Sequence, residues 1–161
     1  MKCPACENKL TEIKIVGIKI FVCKNSCGGL WINHRAIKLI GRLEPGKGSI
    51  LLLLEKAEGV KFYREAEHPC PQCTTTLLYR HFFSKQYDTE VDQCSKCGGF
   101  WIDAGGLAKI IKLSGEKKIS QLEKYNNFII KNKILGMNLA NQDIAGAADK
   151  IKKIFNFLKP V

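Results

Sequence analysis

Cys94-Ser95-Lys96-Cys97-Gly98-Gly99-Phe100-Trp101-Ile102-Asp103 decides how this chain is read. Cys23-Lys24-Asn25-Ser26-Cys27-Gly28-Gly29-Leu30-Trp31-Ile32-Asn33 has already said nearly the same thing. Upstream of each lies another close pair of cysteines, Cys3-Pro4-Ala5-Cys6 in the first copy and Cys70-Pro71-Gln72-Cys73 in the second, so all 8 cysteines fall inside one repeat. Two close thiol pairs joined by an intervening hairpin make the four-sulfur cage that tetrahedral Zn²⁺ prefers. The spacing therefore predicts two structural zinc ions, one held by Cys3, Cys6, Cys23 and Cys27 and one by Cys70, Cys73, Cys94 and Cys97. A disulfide framework is the competing reading, but it suits small secreted chains, and no apolar run after Met1 reads as a signal peptide. A reducing cytoplasm is the expected location.

Between the paired cysteines, Thr11 to Val22 and Thr74 to Gln93 are β-branched, aromatic and partly alternating, and both read as β-hairpins, with Gly17 at the turn of the first. A zinc ribbon follows: one knuckle, a hairpin that crosses over, and a second knuckle returning to the same metal. After each tryptophan the period changes. Asn33 and Asp103 hold the same repeat position and are good N-cap residues, and Ile37 and Ile40, or Leu107 and Ile110, follow at helical spacing. The Gly-Gly of each second knuckle offers positive φ for wrapping a sulfur, and each tryptophan is expected to pack under its own knuckle.

The fold class is thus α+β: tandem zinc ribbons over 1–40 and 68–111, a linker over 41–67, and a helical region over 112–161. Units of about forty residues seldom bury enough apolar surface to fold alone, which makes zinc part of the fold. In the linker, Glu44 to Gly48 reads as a turn and Ser49 as a cap for a helix over Ile50 to Ala57. Its run Leu51 to Leu54 is far short of the about 20 apolar residues a membrane span needs, and no transmembrane segment is expected. Residues 116–135 have helical spacing. A markedly amphipathic helix is predicted over about 141–159, with Ile144, Ala147, Ala148, Ile151, Ile154, Phe155 and Leu158 on one stripe and Asp149, Lys150, Lys152, Lys153 and Lys159 opposite.

The repeat resembles the TFIIB-type transcription-factor zinc-finger family, whose members read CPxC, a hairpin, then CPxCGGxWLDxGEL. The second unit matches at Cys70, Pro71, Cys73, Cys94, Cys97, Gly98, Gly99, Trp101, Asp103, Gly105 and Leu107, with Ser95 and Gly106 in place of proline and glutamate. The first departs further. Three residues separate Cys23 from Cys27, Asn33 replaces the aspartate, and His34-Arg35-Ala36 stands where the family has x-Gly-Glu. The resemblance implies zinc binding and a ribbon fold. The longer spacing implies a bulge in the first cage, where His34 or His68 could replace a thiolate; surface positions are the commoner state for both, and His81 sits mid-hairpin.

The chain carries 26 basic and 15 acidic residues, a net +11. Four thiolates around one Zn²⁺ leave −2 per cage, so two filled cages lower this to about +7. That balance admits nucleic acid or the transcription apparatus as partner, with Lys14, Lys19, Lys24, Lys150, Lys152 and Lys153 as the contacts, or an anionic membrane surface. Phe82, Phe83, Tyr79 and Tyr87 are candidate exposed contacts on the longer hairpin. Closed four-cysteine sites, with no carboxylate pair, nucleophile–base pair or phosphate-cradling loop, point away from an enzyme and from a small-molecule substrate. The alternative is a protein–protein adaptor or self-assembling scaffold working through the terminal amphipathic helix, although docking onto the ribbons is its default role.

Overall fold

Alternation along Thr11–Val22 sorts side chains onto two faces, and the rest of the fold is built on that sorting. β1 (Thr11–Ile15) and β2 (Ile18–Val22) pair with Ile15 opposite Ile18, so the loop is Val16-Gly17, both at positive φ. That is the two-residue turn whose twist suits a hairpin. Ile13, Ile15, Ile18, Ile20 and Val22 point to one side, and Glu12, Lys14, Lys19 and Phe21 to the other.

A computed structural model describes residues 1–54, 58, 68–84, 89–107, 109 and 146–158. Along the chain follow β3 (Leu30–Ile32), α1 (His34–Ile40), a 3₁₀ helix (Ser49–Leu53), β4 (Leu78–Ser84), β5 (Thr89–Cys94), β6 (Phe100–Ile102) and α2 (Ala147–Leu158). The two hairpins do not form separate sheets. Their third strands pair with each other, giving one antiparallel six-stranded sheet of order β1-β2-β3-β6-β5-β4. The order reads the same from either edge, so the two halves meet about a pseudo-twofold between β3 and β6, where Trp31 lies opposite Trp101.

One face of the sheet carries Ile18, Ile20, Val22, Leu30, Ile32, Val91, Phe100 and Ile102, and helices cover it with Ile37, Ile40, Leu107, Ile151, Ile154, Phe157 and Leu158. The other face holds the tryptophans and all eight cysteines in a second cluster. Both expected caps are in place: Asn33 Oδ1 accepts from the Ala36 N–H at 2.8 Å, and Asp103 Oδ1 accepts from the Gly106 N–H to open a helical turn.

The linker differs from expectation. The helix there is a five-residue 3₁₀ segment, its flanking cap is Gly48 rather than Ser49, and Leu54 is already extended. Only Leu51 of the leucine run is fully buried, and Leu53 remains 76% exposed, so little burial rewards a longer helix. The turn before it does a different job. Gly46 and Gly48 N–H groups donate to Asn156 O and Phe157 O, both at 2.8 Å, satisfying carbonyls at the C-terminus of α2. Of the apolar stripe predicted for the terminal helix, Ala147, Ile151, Ile154, Phe155 and Leu158 are buried inside the chain, Phe157 joins them from outside the stripe, and the side chain of Ala148 lies outside the described residues. Residues 116–135, 55–57, 141–145 and 159 lie outside the described residues, as does Tyr87.

A Cβ on Gly48 would stand 2.3 Å from Phe157 Cε1. Gly48→Ala is expected to lower stability by about 1–3 kcal/mol through this clash, read as a lower urea midpoint at unchanged zinc content.

Candidate metal centres

Each cage assembles from two knuckles with the same backbone plan. In the first knuckles, Cys3 N–H donates to Asn8 O and Cys70 N–H to Thr76 O, both at 2.7 Å, with Glu7 and Thr74 at positive φ to turn the chain. In the second, Cys23 N–H donates to Gly29 O and Cys94 N–H to Gly99 O, at 2.8 and 2.9 Å. Gly28 and Gly98 take the positive φ, 73° and 66°. The glycines after them have another purpose. An added Cβ on Gly29 would lie 2.3 Å from Trp101 Cζ2, and one on Gly99 would lie 2.3 Å from Trp31 Cζ2. Each indole thus fills the hollow over the other ribbon's glycine, not its own, and the expectation of packing under the home knuckle is corrected. Pairing of β3 with β6 is the reason, since it sets the two tryptophans in register on one face.

The four Sγ atoms of Cys3, Cys6, Cys23 and Cys27, and those of Cys70, Cys73, Cys94 and Cys97, lie within 4.8 Å of one another in each group. Measured separations include Cys3–Cys27 at 3.5 Å, Cys6–Cys23 at 3.4 Å, Cys70–Cys97 at 3.6 Å and Cys73–Cys94 at 3.9 Å. Four Zn–S bonds of about 2.3 Å in a tetrahedron set sulfurs about 3.8 Å apart, whereas a disulfide needs about 2.05 Å. The donor sets fit two structural zinc ions and no disulfide, and all eight cysteines are free thiols. Backbone N–H groups point at the sulfurs, with Cys73 N–H on Cys70 Sγ at 3.3 Å and Cys97 N–H on Cys94 Sγ at 3.4 Å. Such bonds stabilise thiolate charge.

The extra residue of the first cage is absorbed without losing a ligand. Gly28 N–H reaches back to Cys23 O, five residues away, where Gly98 reaches Cys94 over four. Asn25 takes a positive φ of 55°. Ser26 is thereby turned inward, its hydroxyl 3.4 Å from Cys6 Sγ, and Asn8 Nδ2 donates to Ser26 Oγ at 2.6 Å and to Cys6 Sγ at 3.6 Å. Neither Asn8 nor Ser26 carries a sequence signal as a supporting residue; only the odd spacing hints that something must fill the bulge. No histidine joins the metal-ligating clusters of the described residues. His81 is buried on the core side opposite Val91. His68 is buried too, against the surface expectation. Burial lowers its pKa, and it lies near the Pro4 backbone of the other ribbon and near Asp92, both of which oppose that shift.

Asp92 occupies the second-ribbon position matching Phe21: each sits opposite a tryptophan in the register. Arg80 Nε donates to its Oδ1 at 3.0 Å, and Arg80 Nη1 lies 3.5 Å from Glu90 Oε2. Burial pushes the Asp92 carboxyl above the usual range, and Arg80 opposes that shift. This pair was not legible in the sequence.

The six lysines are not brought together. Lys14 and Lys19 face each other across β1 and β2 on the tryptophan side, and Lys19 Nζ is 3.0 Å from Glu12 Oε1. Lys24 is exposed within the second knuckle of the first cage. Lys150, Lys152 and Lys153 lie on α2, across the sheet from the hairpin pair.

The Cys23 thiol is held far below the usual range by hydrogen bonds from Cys27 and Cys3, and Cys94 likewise by Cys70 and Cys97. Their neighbours move the other way: Cys27 is pushed up to about 12 by Cys23, Cys70 to about 11 by Cys94, and Cys3 and Cys97 are raised as well. Raised thiols must lose protons when Zn²⁺ enters, so affinity falls as pH falls. Zinc retention is expected to drop on the order of tenfold or more per pH unit below neutrality, read with a chelating indicator; retention flat with pH would contradict it. The interlocked indoles also couple the cages. Cys94→Ser, which damages only the second donor set, is expected to weaken zinc binding at the first by roughly fivefold or more, measured by chelator competition; an unaltered first site would oppose coupling.

The described helices include none long and apolar enough to cross a membrane. Comparison with curated proteins and with solved structures found no match. One family model, described as transcription factor zinc-finger, matches residues 2–38 and again 69–113. The match covers both cages and half the chain, and its two segments coincide with the two halves of the pseudo-symmetric sheet. The chain is a zinc-binding member of the TFIIB-type transcription factor zinc-finger family, carrying the ribbon twice.

Proposed function

We propose that this chain is a non-enzymatic binding module that contacts nucleic acid, in the setting of transcription, from a reducing cytoplasm. The observation that carries the reading is the form of the metal centres. Among the described residues each presents four thiols and no other donor, a closed set that leaves no position for substrate and suits a metal that orders the chain. A surface that remains cationic after about four units of charge are cancelled by filled cages supports a polyanionic partner. The adaptor reading loses its main support, because the apolar stripe of α2 packs against this chain's own sheet and α1. Tyr79, 39% exposed on β4, offers an aromatic surface for stacking.

The zinc-loaded chain is expected to bind a short DNA duplex or a single-stranded RNA with log affinity falling linearly in log salt between roughly 50 and 200 mM, the slope reporting the phosphates neutralised. Fluorescence anisotropy measures this. Absent binding, or binding indifferent to salt, removes the proposal.

A further inference from the structure

We infer that the phosphate backbone is met by a basic ridge on the helical side of the sheet, formed by Arg35, Lys38 and Arg42 of α1 and its following turn with Lys152 and Lys153 of α2. This rests on the nucleic-acid reading above and names the surface that would serve it.

α1 buries Ala36, Ile37 and Ile40 and leaves Arg35, Lys38 and Arg42 exposed, and the helix contains no acidic residue. Arg35 and Lys38 are one turn apart, about 4.5 Å along the axis. α2 packs beside α1 and brings a second cationic row to it. The Lys153 stem lies on Gly41, with Cδ 2.9 Å from where a Cβ would stand, which sets it against the turn that carries Arg42. Lys152 is exposed next to it. Among the described residues, Asp149 pairs with Lys153 one turn along α2 and offsets that one cation, and Glu44 lies 3.3 Å from Lys47, so Arg35, Lys38 and Arg42 carry most of the ridge's charge.

The cations of the opposite face are offset: two filled cages at −2 each sit there with Glu12, Glu90 and Asp92, against Lys14, Lys19, Lys24 and Arg80, the last paired with Asp92 and Glu90. Lys24 projects from a knuckle of one cage, and Lys19 is paired with Glu12. Ionic screening acts over about 8 Å in physiological salt, so the charge of each face is felt mainly on its own side. Among the described residues, the net positive charge is therefore concentrated over α1 and α2. An anionic bilayer is the poorer fit, because interfacial binding needs an apolar face to insert, and the one on α2 is buried in the core.

The test compares three full-length zinc-loaded chains: the unaltered protein, Arg35→Gln/Lys38→Gln/Arg42→Gln, and Lys14→Gln/Lys19→Gln. All five positions are exposed, and zinc content and urea midpoint confirm intact folds. With a DNA duplex and a single-stranded RNA as probes, the ridge variant is expected to lose about tenfold or more in affinity near 0.1 M salt and roughly two to three units of salt slope. The hairpin variant should stay within about twofold of the unaltered protein. Loss confined to the hairpin variant overturns the ridge and leaves the nucleic-acid reading standing. No salt-dependent binding by the unaltered chain overturns both. Retention on phosphatidylserine vesicles in place of either nucleic acid, abolished by the ridge variant, also overturns the inference.

Discussion

Trp31 and Trp101 meet across the shortest strands of the sheet, and each occupies space that exists because the other half has glycine, not alanine, at Gly99 or Gly29. A ribbon alone would leave its indole on a wet surface and its knuckle glycine over a void. Paired, the two bury both rings completely and align six strands into one sheet. The metal cages lie on the same side, stitched to this centre by the β-bridge-like closure of each second knuckle. The two cages and the two indoles thus share one packed cluster, so a change in one donor set reaches side chains that touch the other.

The ligand sets were legible in the sequence because sulfur chemistry leaves a spacing signature that survives a one-residue insertion. Caps at Asn33 and Asp103 were legible for a similar reason: the requirement is local, and a side-chain oxygen three residues before a backbone N–H suffices. What the sequence hid was everything that depends on how the halves meet. Nothing local distinguishes a tryptophan that folds under its own knuckle from one that reaches across a pseudo-twofold. The Arg80–Asp92 pair, the His68 contact with Pro4 and the turning-in of Ser26 likewise need partners remote in the chain. The short 3₁₀ segment is a related case, since apolar composition favoured a longer helix, whereas in the docked fold only Leu51 is fully buried while Leu52 and Leu54 pack at the edge of the core.

The pseudo-symmetry is one of backbone and metal, not of surface. Where the first ribbon places Phe21 beside its tryptophan, the second places a buried carboxylate with its guanidinium. Replacing an apolar contact by a charged pair brings a desolvation cost that only matched geometry offsets, and Arg80 meets that need across the strand. The two halves are thus equivalent as scaffolds and distinct as surfaces, which allows one face to serve the metals and the other to present charge.

The closure of α2 by the Gly46 and Gly48 amides ties together elements about a hundred residues apart, a long-range contact of the kind that slows folding. During synthesis, α1 and the sheet beneath it emerge from the ribosome well before Ile151, Ile154 and Phe157 exist to cover them. The first half would stand with an uncovered apolar flank until then, and a metal held by Cys3, Cys6, Cys23 and Cys27, all upstream of α2, would order the nascent sheet before its lid arrives.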